Sequence, residues 1–451
     1  MAKYDVILRN GKIVLPEEIF YGDIGIKDEK IVSIGTIYGR AFEEYDLCGR
    51  YIFPGIIDAH THFQLPLGNF VSRDTFFAGS IASVFGGVTT FIDFVDVDLE
   101  KPLDLLLDIR IDKAKESVID YTFHSTIIGW KDERKEEIKK VIEKGVTSFK
   151  FFTTYSESKR RTDDGMLYSA FSEIAKHKAI ATVHAENDEI VRFFSEKLKK
   201  EGKISPKFYP LSRPPIAEIT AIDTSIKIAS ETGTHLYIVH ISTGAGAEIV
   251  KKARNTGQKV YGETTPHYLL LNDGVANRYI SVCPPLRKPR DNNILWQSLA
   301  SEDLSVVATD HCPFFMSDKE MGNTIWDIPY GLPGVETLFP IMFTYGPGNG
   351  IEYPKVSKLL SLNPAIIFGL YPKKGALYPG FDADIIVIDP IKRKEIKSSN
   401  LHMSSDYSPY EGFILSGFPD MVFSRGKLIL KDEKFLGEKG RGKYIKRRVI
   451  R

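Results

Sequence analysis

The sequence predicts an α/β protein: a (β/α)₈ TIM-like barrel over residues 52–375, joined to a β-sandwich domain formed from both chain ends, residues 1–51 and 376–432. Three observations predict it. Short strand patterns crowd the first fifty residues and return after residue 376. Between them, apolar strand-like runs alternate with helical segments, the signature of parallel βα units. Ionisable residues stand at the C-terminal ends of several of those runs, the face on which such a barrel carries its chemistry.

Taken in order, residues 4–9, 12–15, 22–27 and 30–34 alternate or run apolar. Asn10-Gly11 and Asp28-Glu29 separate them, and Asn-Gly between two such runs predicts a hairpin turn. Eight candidate barrel strands follow at 52–57, 89–94, 121–128, 148–152, 179–184, 235–241, 259–264 and 305–308. Helical patterns fill the gaps, among them 131–144, 169–177, 216–232 and 245–256. Eight units in about 300 residues suit a closed barrel with insertions. A doubly wound open sheet is the runner-up, but it would gather its ligand groups at one switch point. Runs at 383–388, 421–424 and 427–430, with a turn at Arg425-Gly426, bring back the short-strand pattern. The last stretch, 433–451, is a basic tail, with seven Lys or Arg among residues 439–451. A single short run of this kind reads as a solvated or subunit-contacting arm rather than a nucleic-acid tail.

Bulk composition excludes several classes. The 451 residues carry 60 Lys+Arg against 59 Asp+Glu, so no overall field favours nucleic acid or an acidic surface as partner. Cys48, Cys283 and Cys312 are too few for a disulfide framework and suit a reducing cytoplasm. The opening Met-Ala-Lys-Tyr-Asp lacks the apolar stretch of a signal peptide, and no run of about 18 uncharged apolar residues is present to span a membrane. The expectation is a soluble, cytoplasmic, globular protein of enzyme size with no nucleic-acid and no membrane partner.

The strand ends carry the chemistry. The first barrel strand ends Asp58-Ala59-His60-Thr61-His62. Residues two apart on a strand point the same way, so His60 and His62 project together as a clamp for a divalent metal. The fourth strand carries Lys150, the fifth ends at His184, the sixth at His240 and the eighth at Asp310. Each alone has a bland reading: a strand-end histidine is usually a satisfied polar residue, and an Asp after a strand is often a helix cap. Six such residues in order at five strand ends make a metal centre the better reading. Lys150 stands among Phe149, Phe151 and Phe152. A buried ammonium is costly there, so the neutral amine is favoured. A neutral amine can add carbon dioxide to give a carbamate, an anionic two-oxygen ligand able to bridge two cations. Four neutral imidazoles, one carbamate, one Asp and a hydroxide suit two divalent ions. Imidazole-rich ligation favours Zn²⁺, with Mn²⁺, Co²⁺ and Ni²⁺ as alternatives. His124, His267 and His311 read as core or supporting hydrogen-bonders, and His177 and His402 as surface residues. Glu186 reads as a structural salt-bridge partner, and Cys312 is left outside the ligand set.

Further landmarks run through the chain: Pro54-Gly55-Ile56-Ile57-Asp58-Ala59-His60-Thr61-His62-Phe63, Gly86-Gly87-Val88-Thr89-Thr90-Phe91-Ile92-Asp93-Phe94, Ser148-Phe149-Lys150 with Tyr155 beyond, and Val183-His184-Ala185-Glu186-Asn187. Tyr237-Ile238-Val239-His240, Tyr261-Gly262-Glu263-Thr264, Pro284-Pro285-Leu286-Arg287, Ala308-Thr309-Asp310-His311-Cys312-Pro313-Phe314 and Gly440-Arg441-Gly442-Lys443-Tyr444 complete the series. In these the chain resembles the cyclic amidohydrolases, and within them the hydantoinase/dihydropyrimidinase branch, over almost its whole length.

The resemblance implies that His60, His62 and Asp310 hold one metal and His184 and His240 the other, with N6-carboxylated Lys150 between them. It implies that a metal-bridging hydroxide attacks a ring carbonyl, Tyr155 donates to the oxyanion and Asp310 passes the proton to the leaving nitrogen. The substrate would be a small cyclic amide, a hydantoin or dihydropyrimidine, opened to an N-carbamoyl amino acid. A homo-oligomer, dimer or tetramer, is implied too, with the terminal tail against neighbouring subunits. Two positions depart from the branch. Cys283 replaces a serine, and Tyr330 replaces a common asparagine, at places that meet the substrate ring through backbone atoms. Gln64, where dihydroorotases carry an arginine, argues against that activity, and Phe94 argues for hydantoinases over allantoinases. Allantoinase, cyclic imidase and a non-catalytic assembly protein on this scaffold remain as alternatives.

Overall fold

The apolar runs of the central region form eight parallel strands, in a computed structural model that describes residues 3–449. Residues 1, 2, 450 and 451 lie outside it, and with them the first residues of the chain and the last basic residue of the tail. The strands are β1 (Ile56–Thr61), β2 (Val88–Phe94), β3 (Asp120–Thr126), β4 (Ser148–Phe152), β5 (Ile180–His184), β6 (His235–Ile238), β7 (Val260–Thr264) and β8 (Val306–Val307). Each pairs with its neighbour in sequence within one sheet. The ends meet just past β8, where Thr61 bridges His311 and the His62 N–H donates to the His311 carbonyl at 2.8 Å. Every residue of β1, β2 and β3 is buried, as expected of a parallel sheet covered by helices.

The helices start and stop where the sequence supplies caps. Asn187 accepts from the Ile190 N–H and opens Asp188–Lys200, and Thr243 does the same for Gly244–Asn255 through Gly246. Pro215 begins Pro215–Thr232, and Gly233 ends it at φ 71°. The break between the end sheet and the barrel falls at Gly55. A Cβ there would lie 2.1 Å from Thr89 Oγ1. The predicted strand at 52–57 is therefore two strands: Tyr51–Pro54 pairs with Ile385–Ile388 outside the barrel, and β1 starts at Ile56.

Both chain ends build one nine-stranded mixed sheet, with Ile385–Ile388 seated between Tyr51–Pro54 and Pro419–Ser424. The predicted hairpin at Asn10-Gly11 is not there. Tyr4–Val14 is one strand, antiparallel to Ile19–Lys27, and Arg9-Asn10 form a bulge between the Leu8–Ile24 and Gly11–Gly22 pairs. Asn10 takes φ 56°, and its N–H donates to Asp23 Oδ1 at 3.0 Å. A residue at positive φ serves a bulge as well as a turn, so the dipeptide alone cannot choose between them.

The basic tail is not a solvated arm. It docks across the N-terminal end of the barrel, opposite the strand ends that carry the histidines. The Tyr121 N–H donates to Lys443 O at 3.0 Å, and the Ile445 N–H to Tyr121 O at 2.8 Å. Arg447 is buried, and its guanidinium donates to Phe123 O and, at 2.8 Å, to Ser148 Oγ. Nearby, Lys374 Nζ lies 2.8 Å from Asp120 and 2.5 Å from Asp384, tying the barrel to the end sheet.

Candidate metal centre

Four imidazoles, one carboxylate and one amine from five strand ends line the floor of a cavity of about 520 Å³. They are His60, His62, Lys150, His184, His240 and Asp310. His62 and Asp310 lie just past the regular strands. Asp310 and His240 sit at φ 52° and 39°, in the left-handed region that non-glycine residues seldom occupy. That backbone turn aims both side chains inward, and the strand pattern gave no sign of it.

The atoms fall into two groups. His60 Nε2 and His62 Nε2 each lie 3.1 Å from Asp310 Oδ1, and 3.2 Å from one another. His184 Nδ1 lies 3.0 Å from His240 Nε2. His60 presents its Nδ1 to Glu263 Oε1 at 2.7 Å, and His184 presents its Nε2 to Glu186 Oε2 at 2.7 Å. With those nitrogens donating and the rings neutral, the opposite nitrogens would be lone pairs converging on one another and on the Asp310 carboxylate. A cation resolves that repulsion. Ligand atoms on one tetrahedral zinc ion, at bonds of about 2.0–2.1 Å, lie about 3.3 Å apart, close to the spacing here. The donor set therefore fits a divalent metal without rearrangement.

Charge points the same way. Burial disfavours protonation of His60, but the carboxylates of Glu263 and Asp310 outweigh it and push its pKa up to about 9. Burial would raise Asp310, yet the neighbouring His60 and His62 hold it well below the usual carboxylate range. Burial keeps His62, His184 and His240 neutral by lowering their pKa values. Three neutral imidazoles beside an ionised carboxylate suit a metal, which would displace the proton that His60 otherwise carries.

Lys150 is buried with its Nζ 5.0 Å from the Phe94 ring centre and 5.4 Å from that of Phe152. Burial pulls its pKa down to about 7. Phe94 also packs against His60 and His62, at 4.6 and 4.8 Å between ring centres, so one aromatic face walls three of the six groups.

Tyr155 and Cys283 stand on the cavity wall with 2.8 Å between Oη and Sγ, and Tyr155 takes φ 72°. Tyr330 lines the same cavity, but its ring stacks on Tyr209 at 4.0 Å and its hydroxyl donates to Ile325 O. The side chain is drawn into the wall, so this position presents mainly backbone. His124 and His311 are the supporting residues expected, bonded to Ser148 Oγ and Asp74 Oδ2 respectively.

Sequence reasoning missed Glu263 as a residue that orients an imidazole, and it set Glu186 as a salt-bridge partner, which the pair with Arg213 bears out, ahead of a role in orienting a ligand. Glu263, at the end of β7, accepts from His60, from the His240 N–H at 2.9 Å and from Tyr237 Oη at 2.8 Å. Glu186 is held by Arg213 at 2.5 Å, and despite burial that cation keeps its carboxyl down at about 2. The signal for Glu263 was its place at a strand end in the same row as the other candidates. Because Glu263 fixes His60's tautomer, Glu263→Gln is expected to weaken metal affinity by about 10–100-fold, measured by chelator competition. Unchanged affinity would show that His60 is no ligand.

The sequence model of the amidohydrolase family matches residues 51–429. The chain belongs to the amidohydrolase family, a family of metal-dependent enzymes. Its relatives place it in the hydantoinase/dihydropyrimidinase branch. It is 37% identical to a D-hydantoinase of Geobacillus stearothermophilus, over 98% of this chain and 96% of that one. It is 35% identical to a D-phenylhydantoinase of Escherichia coli O81 (strain ED1a), over 98% of both. The crystal structure of a dihydropyrimidinase from Brevibacillus agri NCHU1002 superposes with a TM-score of 0.96, at 33% identity over 99% of both chains.

Proposed function

We propose that this chain hydrolyses a cyclic amide, opening a hydantoin or dihydropyrimidine ring to an N-carbamoyl amino acid. One observation carries the reading: two imidazole pairs, a carboxylate and a buried lysine converge on the floor of a closed-ended cavity. His60, His62 and Asp310 would hold one divalent ion and His184 and His240 a second, with Lys150, carboxylated, as the further anionic ligand. Imidazole-rich ligation favours Zn²⁺ over Mn²⁺ or Co²⁺. When bound, the paired ions supply Lewis acidity and a water whose pKa is lowered to near neutrality.

The chain's own groups do the rest. Tyr155 donates its hydroxyl to the ring carbonyl oxygen as negative charge builds there, and burial, which raises its pKa well above the ordinary value, keeps it protonated. Asp310 turns its Oδ1 toward the imidazoles. It accepts a proton from the attacking water and hands it to the leaving nitrogen as the ring C–N bond breaks. Backbone groups at Cys283 and Tyr330 face the ring. Water's oxygen ends on the carbonyl carbon and the nitrogen leaves protonated, so no covalent enzyme intermediate is needed.

Among the described residues no helix is long and apolar enough to cross a membrane. We place the enzyme in the cytoplasm as a homo-oligomer, a dimer or tetramer. Exposed Tyr38 in the loop before the strand Ala41–Asp46, Phe42 on that strand, and Phe193 on the helix Asp188–Lys200 suit burial against further copies.

A panel of hydantoin, 5-substituted hydantoins, dihydrouracil, allantoin, dihydroorotate and succinimide, with sedimentation of the loaded enzyme alongside, tests this. Ring opening of hydantoins or dihydrouracil by an oligomer is expected. Turnover confined to dihydroorotate or succinimide, or none in protein loaded with metal, would overturn the substrate reading.

A further inference from the structure

Lys319 is fully buried, and among the described residues no carboxylate pairs with it. Its Nζ instead meets four oxygens: Tyr279 O at 2.9 Å, Ser281 O at 3.2 Å, Ser281 Oγ at 3.1 Å and Gly331 O at 2.8 Å. An ammonium has three protons to give, so all are engaged. The acceptors come from two separate stretches of chain. Ser281 lies two residues before Cys283, and Gly331 directly follows Tyr330. Cys283 and Tyr330 both line the cavity above the imidazoles. The two stretches also meet directly, where the Gly331 N–H donates to Ser281 O at 3.1 Å.

The residue beside it reaches a segment that adjoins another part of the cavity lining. Asp318 is paired with Arg73, its Oδ2 2.7 Å from Arg73 Nε. Arg73 follows the loop whose Leu65, Leu67 and Phe70 line the cavity mouth. One short helix, Met316–Glu320, thus sends Asp318 to the loop at the mouth and Lys319 to the two walls.

We propose that Lys319 is a positioning residue that fixes the spacing of the two backbone walls, at Cys283 and Tyr330, between which the cyclic amide ring is held. The inference rests on the reading of this cavity as the substrate site. Removing Nζ strands the Tyr279 carbonyl and takes a donor from Ser281 O, Ser281 Oγ and Gly331 O in a buried place, where unmatched polar groups are expensive, so the walls separate or admit water. The cost falls on ring binding and not on the imidazoles, which other residues hold.

Lys319→Met keeps the length of the stem and removes the charge. With the substrate the wild type opens fastest, KM is expected to rise at least about tenfold, kcat to change less than about threefold, and metal content to stay the same. Ser281→Ala removes one acceptor and keeps the fold, and is expected to raise KM by about two- to fivefold. Amide hydrogen exchange is expected to quicken at 279–284 and 329–332 in Lys319→Met, and not at the strand ends that bear the histidines. An unchanged KM in both variants, a fall in kcat at constant KM, or unaltered exchange would overturn the proposal. If the wild type opens no cyclic amide, the functional reading fails, and the exchange measurement still decides whether Lys319 holds the walls.

Discussion

Replacing Lys150 with alanine is expected to lower kcat/KM by at least about 10³–10⁴-fold, about 4–5.5 kcal/mol of transition-state stabilisation, and to cut bound metal from about two ions per chain to one or fewer. Burial among Phe94 and Phe152 leaves Nζ with a pKa pulled down to about 7. Two buried lysines share that depressed range, Lys150 and Lys319, but only Lys319 is wrapped by oxygen acceptors. Lys150 opens instead onto the cavity between the two imidazole pairs, where a carbamate would find two cations. Alanine removes both carbamate oxygens at once, so the histidine pairs lose their common ligand. Metal analysis and steady-state kinetics on the purified variant check this. Two retained ions with full activity would contradict the bridging role.

Asp310→Asn comes next in size. The amide keeps the shape and can still offer an oxygen, but it cannot carry a proton, so kcat is expected to fall by about 10²–10⁴-fold with a much smaller change in KM. A second effect needs no turnover. Glu263 and Asp310 together push His60 up to about 9, against its burial. Neutralising Asp310 removes one of the two charges, so the His60 pKa in metal-free protein moves down, which an NMR titration of the ring reads. An unshifted His60, or kcat within a few-fold of wild type, would contradict the placement of Asp310 as a ligand and proton carrier.

Much of the fold was legible because parallel strands buried on both faces read as continuous apolar runs. Seven of the eight barrel strands lie where those runs predicted them, and β4, Ser148–Phe152, matches to the residue, while the run at 52–57 divides between the end sheet and β1. The failures have local causes. Asn10-Gly11 advertises positive φ, which a bulge and a hairpin share, so the long strand Tyr4–Val14 was divided in two. The tail's charge suggested solvent, but Arg447 finds a carbonyl and a hydroxyl under the barrel, and charge alone does not reveal a partner 299 residues away.

The candidate site was legible for a simpler reason. Ligand types at strand ends leave a pattern in the sequence, and all six residues so chosen lie on one cavity floor. What orients them leaves less trace. Glu263 sat in the right row without a role, Arg213 lies outside any strand, and the left-handed turns at His240 and Asp310 have no sequence signature.

A crystal structure of the metal-loaded enzyme, with anomalous scattering recorded at the zinc edge, tests the paired-ion centre most directly. Two anomalous peaks about 3.5–4 Å apart are expected, one beside His60, His62 and Asp310 and one beside His184 and His240, with planar density extending from Lys150 Nζ toward both. A single peak or none in fully loaded crystals, with an unmodified amine on Lys150, would contradict it.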